Sequence, residues 1–162
     1  MITIRPAEHG EADALASLGL RAWAEGIGPH VPDHVRRRIC ASNPFLPFIL
    51  EMGPHLLVAE RDGTAIGIAG CERHSGELSD LWVDPVYFGR GVGSALLDTV
   101  TRRAAAEGHE RLSLQVMTDN RRALEFYLSR GFDISWQAEL LDGILGIPLH
   151  KTGMDKKLTS SM

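Results

Sequence analysis

Residues 77–97, ELSDLWVDPVYFGRGVGSALL, constrain the fold of this 162-residue chain more than any other stretch. Leu78, Leu81, Trp82 and Val83 supply the bulky apolar character of a strand, and Pro85 stops it because proline has no backbone hydrogen to donate. Gly89, Gly91 and Gly93 then remove side chains from alternate positions just before the helical run Ser94-Ala95-Leu96-Leu97. A strand must therefore pass through a bare loop into a helix. Backbone N–H groups of such a loop can face an anion, with the positive end of the helix dipole behind them. The expected guest is a phosphate or pyrophosphate.

Spacing separates the loops that perform this task. A P-loop needs G-x-x-x-x-G-K-[ST], and here Gly93 is followed by Ser94 and Ala95, so its lysine is absent. A dinucleotide fingerprint needs G-x-G-x-x-G opening a βαβ unit, whereas this loop reads G-x-G-x-G in mid-chain. A second informative segment begins at Arg111, RLSLQVMTDNRRALEFYLSRGFD. Leu112, Leu114 and Val116 alternate with polar residues as a strand does. Asp119 and Asn120 are helix-capping types. Ala123, Leu124, Tyr127 and Leu128 recur at helical spacing, and Gly131 suits a left-handed helix terminus.

The strand L-x-V-x-P with R-G-x-G-S-x-L-L, followed by L-x-V-x₃-N-x₂-A-x₃-Y-x₃-G-F, resembles the two recurrent motifs of the GCN5-related N-acetyltransferases (GNAT). The family's loop, Q/R-x-x-G-x-G/A, aligns on Gly91 and Gly93 and puts Phe88 at the Gln/Arg position. Because that loop binds through backbone N–H groups, Phe88 does not remove its chemistry. The resemblance implies an α/β (α+β) acyl-CoA acyltransferase fold over 1–162 as a single domain. It further implies a mixed, mainly antiparallel sheet of six to seven strands, about four helices, and the glycine loop after the fourth strand. The implied cofactor is acetyl-CoA with no metal, and the implied activity is acetyl transfer to a small-molecule or peptide amine.

The resemblance also implies roles for matching positions. Gly89, Arg90, Gly91, Val92, Gly93 and Ser94 would bind the pyrophosphate. Leu81, Trp82 and Val83 would pair with the pantetheine arm, one N–H polarising the acetyl carbonyl as charge develops there. Asn120 would hold the pantetheine or its loop, or serve only as a helix cap. Tyr127 would protonate the leaving thiolate, whose pKa is near 8.5, or serve as a core aromatic. An amine must lose a proton to attack, so a base is expected on the strand beside the cofactor. Glu77 is favoured, on the face of Ser79, Leu81 and Val83 in a regular strand, although a bulge would shift that parity. Asp80 on the other parity and His74 in a turn are the alternatives. Arg121 and Arg122 oppose the dipole of the helix they begin. They face either a coenzyme A phosphate, as Arg90 would, or solvent.

Composition bounds the remainder. Net charge −4 gives no basic footprint, which argues against nucleic acid. Cys40 and Cys71 are too few for a disulfide framework or zinc site. No stretch approaches a membrane span and MITIRPAEHG is no signal peptide, so a cytoplasmic protein is expected. Elsewhere Ile2–Arg5 reads as a strand and Glu11–Glu25 as a helix. A second helix falls between Asp33 and Cys40, and Pro44 and Pro47 interrupt the next stretch of chain. His55–Glu60 and Thr64–Glu72 form a hairpin at Asp62-Gly63, and Ser135–Leu140 and Leu149–Leu158 are late strands. The expected order is β-α-α-β-β-β-α-β-α-β-β. Trp23, Phe45, Phe48 and Trp136 are candidate acceptor-pocket residues or core, and Arg36-Arg37-Arg38 is an acid-attracting patch or a solvated face. An N-terminal region of this kind is also compatible with a homodimer. The acceptor is not readable, and a non-catalytic acyl-CoA sensor or, more weakly, a nucleotide-binding domain are the competing functional classes.

Overall fold

Asp62 and Gly63 both hold positive φ (52° and 80°), the pairing a tight two-residue hairpin needs. They join β2 (Leu57–Arg61) to β3 (Thr64–Cys71), and β1 (Thr3–Pro6) pairs with the other edge of β2. The structure is a computed structural model that describes residues 1–72 and 75–159. After β3 come β4 (Glu77–Val83), β5 (Arg111–Met117), β6 (Asp133–Leu141) and β7 (Pro148–Lys157). Among the described residues one seven-stranded sheet forms, in the order β1-β2-β3-β4-β5-β7-β6. Every pairing is antiparallel except β4 with β5.

Among the described residues five α-helices cover the two faces: α1 (Ala12–Gly26), α2 (Asp33–Ser42), α3 (Phe45–Met52), α4 (Val92–Ala106) and α5 (Arg121–Ser129). On one face Leu15, Leu18 and Trp23 of α1, Ile39 of α2 and Phe45 and Ile49 of α3 pack on Val58 and Ile68. On the other, Leu96, Leu97 and Val100 of α4 and Tyr127 of α5 pack on Ala59, Ile66, Leu78, Leu112 and Leu114. Alternate residues of β2 thus point to opposite cores, the period-two rule of a strand covered on both faces.

The expectation of about four helices falls one short, because Pro44 and Pro47 do not interrupt α3. Pro44 is its N-cap and Pro47 its third residue. The first-turn N–H groups have no helical acceptor, so a proline there removes no hydrogen bond. A Cβ on Gly19 of α1 would lie 2.7 Å from the Phe45 ring, so α1 and α3 cross where one helix has no side chain. The Cys71 thiol, pushed up to about 11 by burial, packs on the α4 core as a small hydrophobe. No helix among the described residues is long and apolar enough to cross a membrane, and no group of three or more His, Cys, Asp or Glu among them is arranged to hold a metal.

Candidate active site

Parallel pairing of β4 with β5 is confined to Glu77↔Ser113 and Leu78↔Leu114. Beyond that point the strands diverge and leave the β5-facing edge of Leu81 to Val83 without a ladder partner. The wedge opens into a cleft of about 710 Å³. Its walls come from four places: Leu81, Trp82 and Val83 on β4, the glycine loop, α5 with its N-cap, and Ala22, Glu25 and Gly26 at the end of α1 with His30 just beyond.

Asp84 starts the loop by accepting from Val86 N at 3.2 Å, and its other oxygen pairs with Arg21 of α1 at 2.9 Å. Gly89 and Gly91 both take left-handed φ (75° and 82°), which a side chain would strain. Gly91 is the N-cap of α4, and the first helical bond runs from Ala95 N to Gly91 O at 3.0 Å. The N–H groups of Val92, Gly93 and Ser94 are therefore left for another acceptor, and all three residues line the cleft. Arg130 donates from Nε to Ser94 Oγ at 3.0 Å and lies 4.4 Å above the Phe126 ring. Arg90 is the one loop residue among those expected that does not line the cleft; its guanidinium lies 5.7 Å from the Tyr87 ring. Arg122 lies 4.0 Å above Phe88.

Across the cleft, Asn120 caps α5, its side chain accepting from Ala123 N at 3.4 Å. Tyr127 sits on the next turns, 6% exposed, with edge contacts to Phe126 and Phe132 at 5.1 and 5.5 Å. It still reaches the cleft wall. Burial, and secondarily the charge of Asp80, raise its phenol pKa well above the ordinary value, so it stays protonated.

A bulge decides which carboxylates face where. Gly70 pairs with Asp80 but Cys71 with Leu78, so Ser79 is an extra residue on β4, its hydroxyl donating to Gly70 O at 3.2 Å. Leu78, Leu81 and Val83 consequently share the face packed under α4, while Trp82 packs on the α1 core. The face expected for Glu77 in a regular strand is thereby reversed, and it lies on the side of Asp80 and Trp82. There it lines a second cavity of about 260 Å³ with Ser79, Trp82, Gln115, Asp142 and Lys151. Trp82 lines both cavities. Asp80 accepts from Trp82 Nε1 at 2.9 Å, and burial raises its carboxyl pKa against the opposing effect of that hydrogen bond. His74, the third candidate base, lies outside the described residues.

Asp142 anchors the turn between β6 and β7. Its Oδ1 accepts from Ile144 N at 3.0 Å and Leu145 N at 2.8 Å, while Oδ2 pairs with Lys151 at 3.1 Å. Arg38 of α2 donates to the carbonyls of Ile144 and Leu145, and Arg36 pairs with Asp33 at 2.5 Å on the exposed helix face. Trp23 and Phe45 are buried core residues and Phe48 packs beside them. Trp136 lies across Gly153 on β6, and none of these four lines either cavity. Gln115, Asp142 and Lys151 were not visible as site residues in the sequence; only the pairing of β5 with β7 brings them near β4.

A family model described as "Acetyltransferase (GNAT) family" matches residues 20–132. An uncharacterized N-acetyltransferase of Mycobacterium bovis is 34% identical over 133 residues, covering 77% of this chain and 85% of its own. Two solved structures share the fold. A GCN5-related N-acetyltransferase from Rhodopseudomonas palustris has a TM-score of 0.79 at 22% identity, over 96% of this chain and 95% of that one. The PaiA N-acetyltransferase of Thermoplasma acidophilum, in complex with coenzyme A, has a TM-score of 0.77 at 20% identity, over 97% and 99%.

Proposed function

The chain belongs to the GNAT family of acetyltransferases, and from that premise we propose that it transfers the acetyl group of acetyl-CoA directly to a primary amine. The observation that carries this reading is the wedge between β4 and β5, which brings the glycine loop and Tyr127 to one cleft. The Thermoplasma neighbour is a complex with coenzyme A, and the residues here suit that group. Three helix-start N–H groups on the wall can donate to a pyrophosphate, and the unpartnered edge of Leu81 to Val83 can pair with the amides of an extended arm. When bound, acetyl-CoA supplies an activated acetyl carbonyl and a thiolate leaving group.

The chain's own residues would then divide the work. A backbone N–H of the Leu81–Val83 edge donates to the carbonyl oxygen as it gains negative charge. Glu77 takes the proton of the attacking amine, directly or through water, from the second cavity, which shares Trp82 with the cleft. Nitrogen bonds to the acetyl carbon, the carbon–sulfur bond breaks, and Tyr127 gives its proton to the sulfur. Asn120 orients the arm while capping α5. Asp80 is the second reading for the base, favoured by its raised pKa and its electrostatic reach to Tyr127. Glu77 is preferred because it lines the cavity, and Asp80 lines neither.

A panel of primary amines with acetyl-CoA, read as free thiol, tests the proposal. Thiol release with at least one amine is expected. Binding of acetyl-CoA without release for any amine would favour a non-catalytic acyl-CoA sensor.

A further inference from the structure

We propose that Arg122, seated on the ring of Phe88, binds a phosphate of coenzyme A at the cleft, and that Phe88 is the residue that positions it. The proposal rests on the coenzyme A reading above. Phe88 immediately precedes Gly89, and Arg122 is the second residue of α5, so their 4.0 Å contact joins the glycine loop to the opposite wall. Both residues line the cleft.

Three observations converge on an anion at this guanidinium. The first turn of α5 contains no acidic residue, and a cation there opposes the helix dipole. Among the described residues Arg122 makes no ion pair, although Glu25 and Asp119 also line the cleft. Its side chain is nevertheless held, because the aromatic face attracts the cation. A ring covers only the flat face of a guanidinium and leaves its in-plane N–H donors for an acceptor, the geometry that suits bidentate phosphate recognition.

The loop's N–H groups donate hydrogen bonds but carry no full charge. Its own cation, Arg90, does not line the cleft, and Arg130, which does, is already bonded to Ser94 Oγ and stacked on Phe126, so Arg122 is the guanidinium docked on the loop with its donors still open. Phe88 thus contributes a cation to the loop indirectly, by docking one from α5.

Calorimetric titration at low ionic strength with coenzyme A, dephospho-coenzyme A and pantetheine tests the pair. Arg122→Ala should weaken coenzyme A binding about tenfold, as for loss of a charge-assisted contact. Phe88→Ala should weaken it several-fold and Phe88→Tyr should not. The double variant should bind no worse than Arg122→Ala within about twofold, since the two act as a unit. Pantetheine, which has no phosphate, should bind alike to all of them. An equal loss with dephospho-coenzyme A assigns the contact to the pyrophosphate, and a loss confined to coenzyme A assigns it to the 3′-phosphate; either supports the proposal. Arg122→Ala binding coenzyme A like the parent protein overturns it, as do equal losses for pantetheine or fully additive single effects. A parent protein that binds no coenzyme A would instead overturn the functional reading beneath it.

Discussion

Asp80 is largely buried and accepts a hydrogen bond from the Trp82 indole, and the two effects pull its pKa in opposite directions. Burial wins, so the carboxyl is raised. The native state then binds this proton more readily than the unfolded chain, and the resulting stability is present below the unfolded carboxylate pKa and lost as pH rises through the folded one. Asp80→Asn should therefore stabilise the protein at pH 7, with the gain shrinking as pH falls through the carboxylate range. Urea unfolding at pH 7 and pH 4 measures it; a gain that is constant with pH would contradict the burial account. The same variant separates the candidate bases. Glu77→Gln should lower turnover at neutral pH and make it rise with pH only as the amine itself loses its proton, about 100-fold for a lost base. If Asp80→Asn produces that profile and Glu77→Gln does not, the second reading is correct.

The glycine loop, the Asp62-Gly63 hairpin and the Asn120 cap were legible in the sequence because each is a local device whose residue types state its geometry. The third helix was not. Pro44 and Pro47 read as breakers, yet proline is harmless in a first turn, and only the tertiary fit against Gly19 shows that an apolar helix belongs there. That fit gives a test. Gly19→Ala puts a methyl against the Phe45 ring and should cost about 1–3 kcal/mol of stability by overpacking, measured as a shift in denaturation midpoint with unchanged slope. No loss would mean that α3 has room to move. The β4 bulge was also beyond local reading. A single extra residue, Ser79, has no compositional signature, but it exchanges the faces of Glu77 and Leu78 relative to Leu81.

At the scale of the whole molecule, the cleft built mostly from two continuous motifs was readable and the cavity assembled from three separate segments was not. The main cleft is mostly residues 81–94 and 119–130, two continuous motifs. The second cavity joins β4, β5 and the turn at Asp142, which become neighbours only because β7 inserts between β5 and β6. Arg38, one of three consecutive arginines that read as a patch, instead ties that turn to α2. Arg38→Ala should raise the acceptor KM several-fold, since a lost hydrogen bond to a charged group contributes about 1.5–3 kcal/mol at most, and should leave coenzyme A affinity unchanged. A change in coenzyme A affinity alone would separate the turn from the acceptor side.

The most direct test of the account is thiol release from acetyl-CoA in the presence of a reactive amine, measured for the parent protein and Tyr127→Phe with coenzyme A affinity determined beside it. The account predicts a fall in turnover of about 100-fold, the lower range for a general acid, at nearly unchanged affinity. Equal turnover in the two proteins would contradict it, because the cleft between β4 and β5 would then lack the proton donor on which the proposed transfer depends.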